Sequence, residues 1–156
     1  MSSRRMCITA ADGQTGRLAA ELLLTNNKFS KKFKSISLLA LNPAKCHDLK
    51  LIGGARVNVI AYTSDKTRLL NGMKAENCDT IFLIPPAIEN KFAIMNGITE
   101  CARKLKSIQN MILLSSAGCD VAEREKQSLI RQFINMEALV MNAKSEPESG
   151  STCIIR

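Results

Sequence analysis

Short apolar runs that end in turn residues alternate along this chain with longer segments whose apolar positions recur at helical spacing. Met6-Cys7-Ile8-Thr9-Ala10 reads as a first strand. From Gly16 the pattern changes to Leu18, Ala19, Leu22 and Leu23, the stripe of an amphipathic helix that runs out at Thr25-Asn26-Asn27. Ile36–Leu41 predicts a second strand, stopped by Asn42-Pro43; Pro43 is placed to open a short helix, where its missing N–H costs nothing. Arg56–Ala61 predicts a third strand after the Gly53-Gly54 turn. A helix over about 65–75 carries Leu69, Leu70 and Met73, and Thr80–Ile84 predicts a fourth strand that Pro85-Pro86 cannot continue. Phe92, Met95, Ile98 and Leu105, with Cys101 and Ala102, predict a helix over about 90–105. Asn110–Ser115 predicts a fifth strand, and Leu129, Ile130, Phe133, Ile134, Ala138 and Met141 form the inward stripe of a helix from about 122 to 142. Ser149-Gly150 turns the chain into a sixth strand at Thr152-Cys153-Ile154-Ile155.

Strands 2, 4 and 5 are almost continuously apolar rather than alternating, as expected where helices cover both faces of a parallel sheet. The regular β-then-α repeat selects an α/β, doubly wound, three-layer αβα domain of the Rossmann-like type, with strand order 3-2-1-4-5-6. Residues 1–156 read as one such domain, with no internal repeat.

In such a fold the turn after the first strand is the phosphate-binding turn. Here it is Ala10-Ala11-Asp12-Gly13-Gln14-Thr15-Gly16. Gly13 lets backbone approach phosphate, and Gly16 lets the helix start close against the strand. The first-turn N–H groups lack intrahelical acceptors and, with the helix dipole, favour a pyrophosphate. Asp12 would repel that group unless its carboxylate turns away to cap backbone N–H groups in the turn. Glycines at turns are common, so a structural turn without a ligand is the competing reading; the position between a strand and a helix favours a dinucleotide.

A NAD site usually places an acid at the end of the second strand to hold the ribose 2′-hydroxyl. Leu41 and Asn42 stand there, with Lys45 just beyond and Arg17 inside the first helix, so the site leans to a 2′-phosphate and NADPH, with NAD second. For both cations the alternative is plain surface charge. Ile84-Pro85-Pro86-Ala87 and Ser115-Ser116 leave strands 4 and 5 on the same carboxyl edge, where they can line the nicotinamide half of a groove; a stiff loop is the alternative for the prolines.

Composition narrows the function classes. The chain has 156 residues, 46% hydrophobic, with eight Gly and four Pro, which fits a domain with a real core rather than a disordered chain. No apolar run approaches the roughly 18 residues needed to cross a bilayer and no leader-like segment precedes the first strand, so a cytoplasmic location is expected. The net charge of +8 comes from clusters such as Lys28, Lys31, Lys32 and Lys34, and Arg103, Lys104 and Lys106. Without interleaved aromatic residues these read first as a solvated face, then as a groove for an anionic ligand, and last as a nucleic-acid surface. Six scattered cysteines and a single His47 have no metal-ligand spacing and read as free, mostly buried thiols.

Catalytic groups are scarce. Tyr62, the sole tyrosine, has no Tyr-x-x-x-Lys partner, and the helix after strand 5 offers no tyrosine as a proton donor. No residue set supports nucleophilic or hydrolytic chemistry. The chemistry left is hydride transfer, for which the cofactor supplies the reactive centre, and no catalytic side chain or metal ligand is assigned.

With its turn at Ala10–Gly16, the chain resembles the NmrA-like family, atypical short-chain dehydrogenases/reductases that include NAD(P)H:quinone oxidoreductases and redox-sensing regulators. Family members open with Gly-Ala-Thr-Gly-x-x-Gly; here Ala10 replaces the first glycine and Asp12 the threonine. Leu41-Asn42-Pro43, Cys78 through Pro86 and Met111 through Gly118 resemble the family's strand 2, 4 and 5 ends in order. The resemblance implies NADPH-dependent reduction of a quinone or similar acceptor, or non-enzymatic dinucleotide sensing through a protein partner. Two departures carry expectations. The family's arginine after strand 2 is Leu41, which bears on affinity for the cofactor. The family's Arg-Pro-Gly stops at Arg156, so the chain is expected to lack the carboxyl-terminal substrate-binding region, to bind cofactor weakly with poor or absent catalysis, and to self-associate through strand 6.

Overall fold

A computed structural model describes residues 4–144 and 150–156. In chain order it contains β1 (Arg4–Thr9), α1 (Gln14–Thr25), β2 (Phe33–Ala40), α2 (His47–Gly53), β3 (Val57–Ala61), α3 (Lys66–Glu76), β4 (Thr80–Leu83), α4 (Lys91–Lys104), β5 (Asn110–Leu114), α5 (Ser128–Ala143) and β6 (Ser151–Ile155). The six strands are parallel and ordered β3-β2-β1-β4-β5-β6, the doubly wound order. The order reverses between β1 and β4, opening a crevice at the carboxyl edge there. Pro43 does open a short 3-10 turn, Pro43–Cys46, ahead of α2, with the Asn42 side chain accepting from the Ala44 N–H. Of the expected turn at Ser149-Gly150, Ser149 lies outside the described residues; Gly150 has φ 119° and presses against the Gln109 carbonyl, an approach that a side chain would block.

One register row crosses the whole sheet, Val59-Leu38-Ile8-Phe82-Ile112-Cys153. Leu38 and Ile8 are fully buried beneath α1 and α2, whereas Phe82 and Ile112 are half-buried and Cys153 is exposed. Among the described residues, helical cover over both faces of strands 4 and 5, expected from their apolar runs, is therefore incomplete: α1 and α2 sit over β1–β3. The other face carries the larger core, where α3, α4 and α5 bring Leu69, Met73, Met95, Ile98 and Met136 onto Cys7, Ile81 and Met111.

Two helix stripes differ from the sequence reading. Leu18 and Leu22 point outward at 60% and 50% exposure, and α1 instead buries Gly16, Ala20 and Leu24. Its start lies so close to β1 that only small residues fit beneath the first two turns. α5 begins at Ser128 rather than near 122, because Gln127 closes the preceding loop by accepting the Glu123 N–H on its side chain and donating its own N–H to the Glu123 carbonyl. It buries Met136, Glu137, Val140 and Ala143, while Leu129, Ile130 and Met141 are exposed.

Five cysteines are buried and unbridged and Cys153 is exposed; burial raises the Cys7 and Cys78 thiols, the latter to about 11. Among the described residues no helix is long and apolar enough to cross a membrane.

Candidate functional site

The carboxyl edge is built first by hydrogen bonds between strand ends. The buried Thr9 hydroxyl donates to the Ile84 carbonyl at 2.9 Å and accepts the Ile84 N–H at 2.7 Å, clamping the exit of β4 to that of β1. The chain then turns sharply. Ala10 adopts φ 48°, a left-handed conformation costly for a residue with a side chain, and its carbonyl accepts the Gly13 N–H at 2.9 Å. A Cβ on Gly16 would lie 2.2 Å from that same carbonyl oxygen, so only glycine lets α1 begin here; at Gly13 the corresponding distance is 3.3 Å. Gly13 precedes α1 with no side-chain cap, and the first turn of α1 contains no acidic residue, which leaves its N–H groups facing the edge.

Two clefts follow. One, of about 130 Å³, lies between the turn and the loop after β4 and is lined by Ala10, Gly13, Gln14, Thr15, Gly16, Ile84, Pro85, Pro86 and Ala87. The second is a shallow depression of about 10 Å³, mostly apolar and lined by Thr9, Ala10, Leu39, Leu41, Tyr62, Ile84, Pro86, Ile94 and Ile98. They share Ala10, Ile84 and Pro86 and so lie side by side over the crevice between β1 and β4.

Asp12 turns away from both clefts, but not to cap the turn itself. Its carboxylate accepts the N–H groups of Leu41 at 3.3 Å and Asn42 at 2.8 Å, fastening the turn to the end of β2. Arg17 is paired rather than free: its guanidinium grips the Asp48 carboxylate with both terminal nitrogens and reaches the Lys45 carbonyl at 3.4 Å. Asn42, Lys45 and Arg17 thus form the rim at the end of β2 and line neither cleft.

Ser115 and Ser116 also stand apart from both clefts. The Ser115 hydroxyl donates to Glu137 of α5, and Ser116 bonds locally to the Ala117 carbonyl at 3.5 Å. Glu137 is almost fully buried, also accepts the Cys119 thiol at 3.4 Å, and is held by Arg156. The Arg156 guanidinium, ahead of the Ser115 and Cys119 bonds, brings the Glu137 carboxyl down to about 2 against the opposing effect of burial.

Several of these residues escaped the sequence reading. Thr9, Leu39, Ile94 and Ile98 look like core residues by pattern. Tyr62, which the sequence offers only as a proton donor, has its N–H held by the Ala40 carbonyl at 2.8 Å, and burial raises its hydroxyl above the ordinary value. The Glu137–Arg156 pair is separated by 19 residues and has no local signal.

No family profile and no curated protein matches this sequence. Solved structures do. An NADPH-dependent quinone oxidoreductase from Escherichia coli, complexed with NADPH, superposes with a TM-score of 0.75 at 18% identity, over 97% of this chain and 48% of that one. A triphenylmethane reductase from a Citrobacter species, complexed with NADP(H), gives 0.71 at 16% identity, over 88% and 45%. A short-chain dehydrogenase/reductase from Saccharomyces cerevisiae gives 0.73 at 14% identity, over 98% and 69%. The chain spans about half the length of the first two proteins, and with them it shares the Rossmann fold.

Proposed function

We propose that this chain binds NADPH, and NADH more weakly, as the cofactor-holding part of an oxidoreductase that passes hydride to a quinone or a similar small acceptor. One observation carries the reading: the two clefts meet at Ala10, Ile84 and Pro86 along the carboxyl edge, at the switch point where this fold takes its ligands. The residues present fit a dinucleotide. A cradle that a Cβ at Gly13 would narrow lies in front of the uncapped start of α1, where N–H groups of Gln14, Thr15 and Gly16 would hold the pyrophosphate. Leu41, Tyr62 and Pro86 offer the adenine a shallow apolar surface to lie against, and Arg17 and Lys45 stand at the end of β2, where a 2′-phosphate would come. Pro85 and Pro86 stiffen the loop along which the nicotinamide half would run.

The nicotinamide, when bound, supplies the hydride. The chain's own part is to bind, orient and exclude water. Ser115 is not a proton donor in this scheme, because its O–H is committed to Glu137. Reduction of a quinone, whose product oxygens can take protons from solvent, suits an edge built this way.

That commitment of Ser115 also favours a second reading, in which the chain senses dinucleotide without turnover and acts through a protein partner. Calorimetric titration with NADPH, NADH, NADP+ and NAD+, with Gly13→Asp as the control, tests binding. NADPH consumption with a quinone then selects the enzyme, and binding without consumption selects the sensor. Equal binding by wild type and Gly13→Asp would show that the turn does not hold the pyrophosphate.

A further inference from the structure

The end of β2 presents four positive or donor groups to an anion: the N–H groups of Leu41 and Asn42, and the cations Arg17 and Lys45. The two amides are already taken by the Asp12 carboxylate. Of these, the two cations remain for a ribose 2′-phosphate, which this fold places at the end of the second strand. Lys45 makes no ion pair among the described residues. Arg17 is differently placed: both terminal nitrogens lie on Asp48, in the two-point geometry that a phosphate would use.

We propose that Asp48 is the specificity-determining residue of this end of the site: by holding Arg17, it sets how strongly a 2′-phosphorylated dinucleotide is preferred over one with a free 2′-hydroxyl. The proposal rests on the dinucleotide reading above. Asp48 and a 2′-phosphate are alternative partners for one guanidinium, and a phosphate dianion outcompetes a single carboxylate charge at equal distance. Both side chains are well exposed, 37% for Arg17 and 51% for Asp48, so their pair contributes little to folding and can be exchanged at small cost. The carboxylate left behind by that exchange lies close to the incoming phosphate and repels it. Asp48 therefore weakens NADPH on two counts and touches NADH through neither.

Calorimetric dissociation constants for NADPH and NADH test this in wild type, Asp48→Asn, Arg17→Gln and the double variant, at low ionic strength, where exposed charges are least screened. Asp48→Asn is expected to raise the NADPH-to-NADH affinity ratio about fivefold, the factor equivalent to an exposed ion pair. Arg17→Gln is expected to lower the ratio and, in the double variant, to shrink the gain from Asp48→Asn to the part that comes from the carboxylate's own repulsion of the phosphate. An unchanged ratio in Asp48→Asn, a parallel loss of both nucleotides, or the same gain without Arg17 overturns the proposal and leaves the dinucleotide reading standing. Failure of the wild type to bind either nucleotide overturns both.

Discussion

Arg156 grips Glu137 at two points, Nε to Oε1 at 2.9 Å and Nη2 to Oε2 at 2.7 Å, joining the end of β6 to the middle of α5. The Glu137 carboxyl is lowered to about 2 in the folded chain. The unfolded chain therefore takes up its proton first as pH falls. The pair contributes stability that is fully present above the ordinary glutamate value of about 4.3 and is lost as pH falls towards 2. Glu137→Gln is expected to cost about 2 kcal/mol at pH 7, as for a lost hydrogen-bonded charge. Thermal melts from pH 7 to pH 2 should bring wild type and variant together at the acid end; parallel curves would contradict this.

The two glycines of the turn are expected to fail differently. Gly16→Ala puts a Cβ 2.2 Å from the Ala10 carbonyl oxygen, against backbone that cannot give way, and is expected to cost about 2–3 kcal/mol of stability. Gly13→Ala meets that oxygen at 3.3 Å with φ at −90°, a tight contact rather than a clash, so it should cost much less stability than Gly16→Ala. Its methyl group narrows the cleft instead. Loss of one charge-assisted contact to phosphate predicts about tenfold weaker NADPH binding by calorimetry.

Ala10 at φ 48° is strained where a glycine would not be. Ala10→Gly is expected to stabilise the chain by about 0.5–1 kcal/mol in denaturant melts, since relief of the left-handed conformation exceeds the added freedom of the unfolded state. A destabilised variant would show that the Ala10 methyl packs better than its backbone strain suggests.

Tyr62 lines the apolar depression beside Leu41 and Pro86. If adenine lies there, Tyr62→Ala is expected to weaken NADPH about tenfold, the scale of one lost base–aromatic contact, while Tyr62→Phe keeps the ring and most of the affinity. Equal losses in both variants would point to the hydroxyl rather than the ring.

Much of the architecture was legible in the order of apolar runs. Repeated β-then-α segments admit few connections, because parallel crossovers keep one hand and short links keep neighbours adjacent. Strand order 3-2-1-4-5-6 followed from that. The faces of α1 and α5 did not. Leu18 and Leu22 carry the hydrophobicity of a core stripe, but the approach of α1 to Ala10 gives the inward positions to Gly16 and Ala20. Hydrophobic periodicity reports which positions can be buried, not how close the neighbouring layer stands.

The candidate site divides in the same way. Its turn is local: Gly16 is needed where it stands because backbone passes within a few ångströms of itself over seven residues, and this requirement is written into the sequence. Its wall and rim are not local. Thr9 meets Ile84 across 75 positions, Asp12 meets Asn42 across 30 and Arg17 meets Asp48 across 31. Hydrogen bonds and charge pairs of this kind leave no periodic trace, since each side chain finds its partner only after the sheet has brought the strand ends together. The sequence by itself determined the layers and the glycine turn, through propensity and periodic burial. Only the tertiary structure decided which donors at the end of β2 are occupied and which cation is held, because those depend on distances between segments remote in the chain.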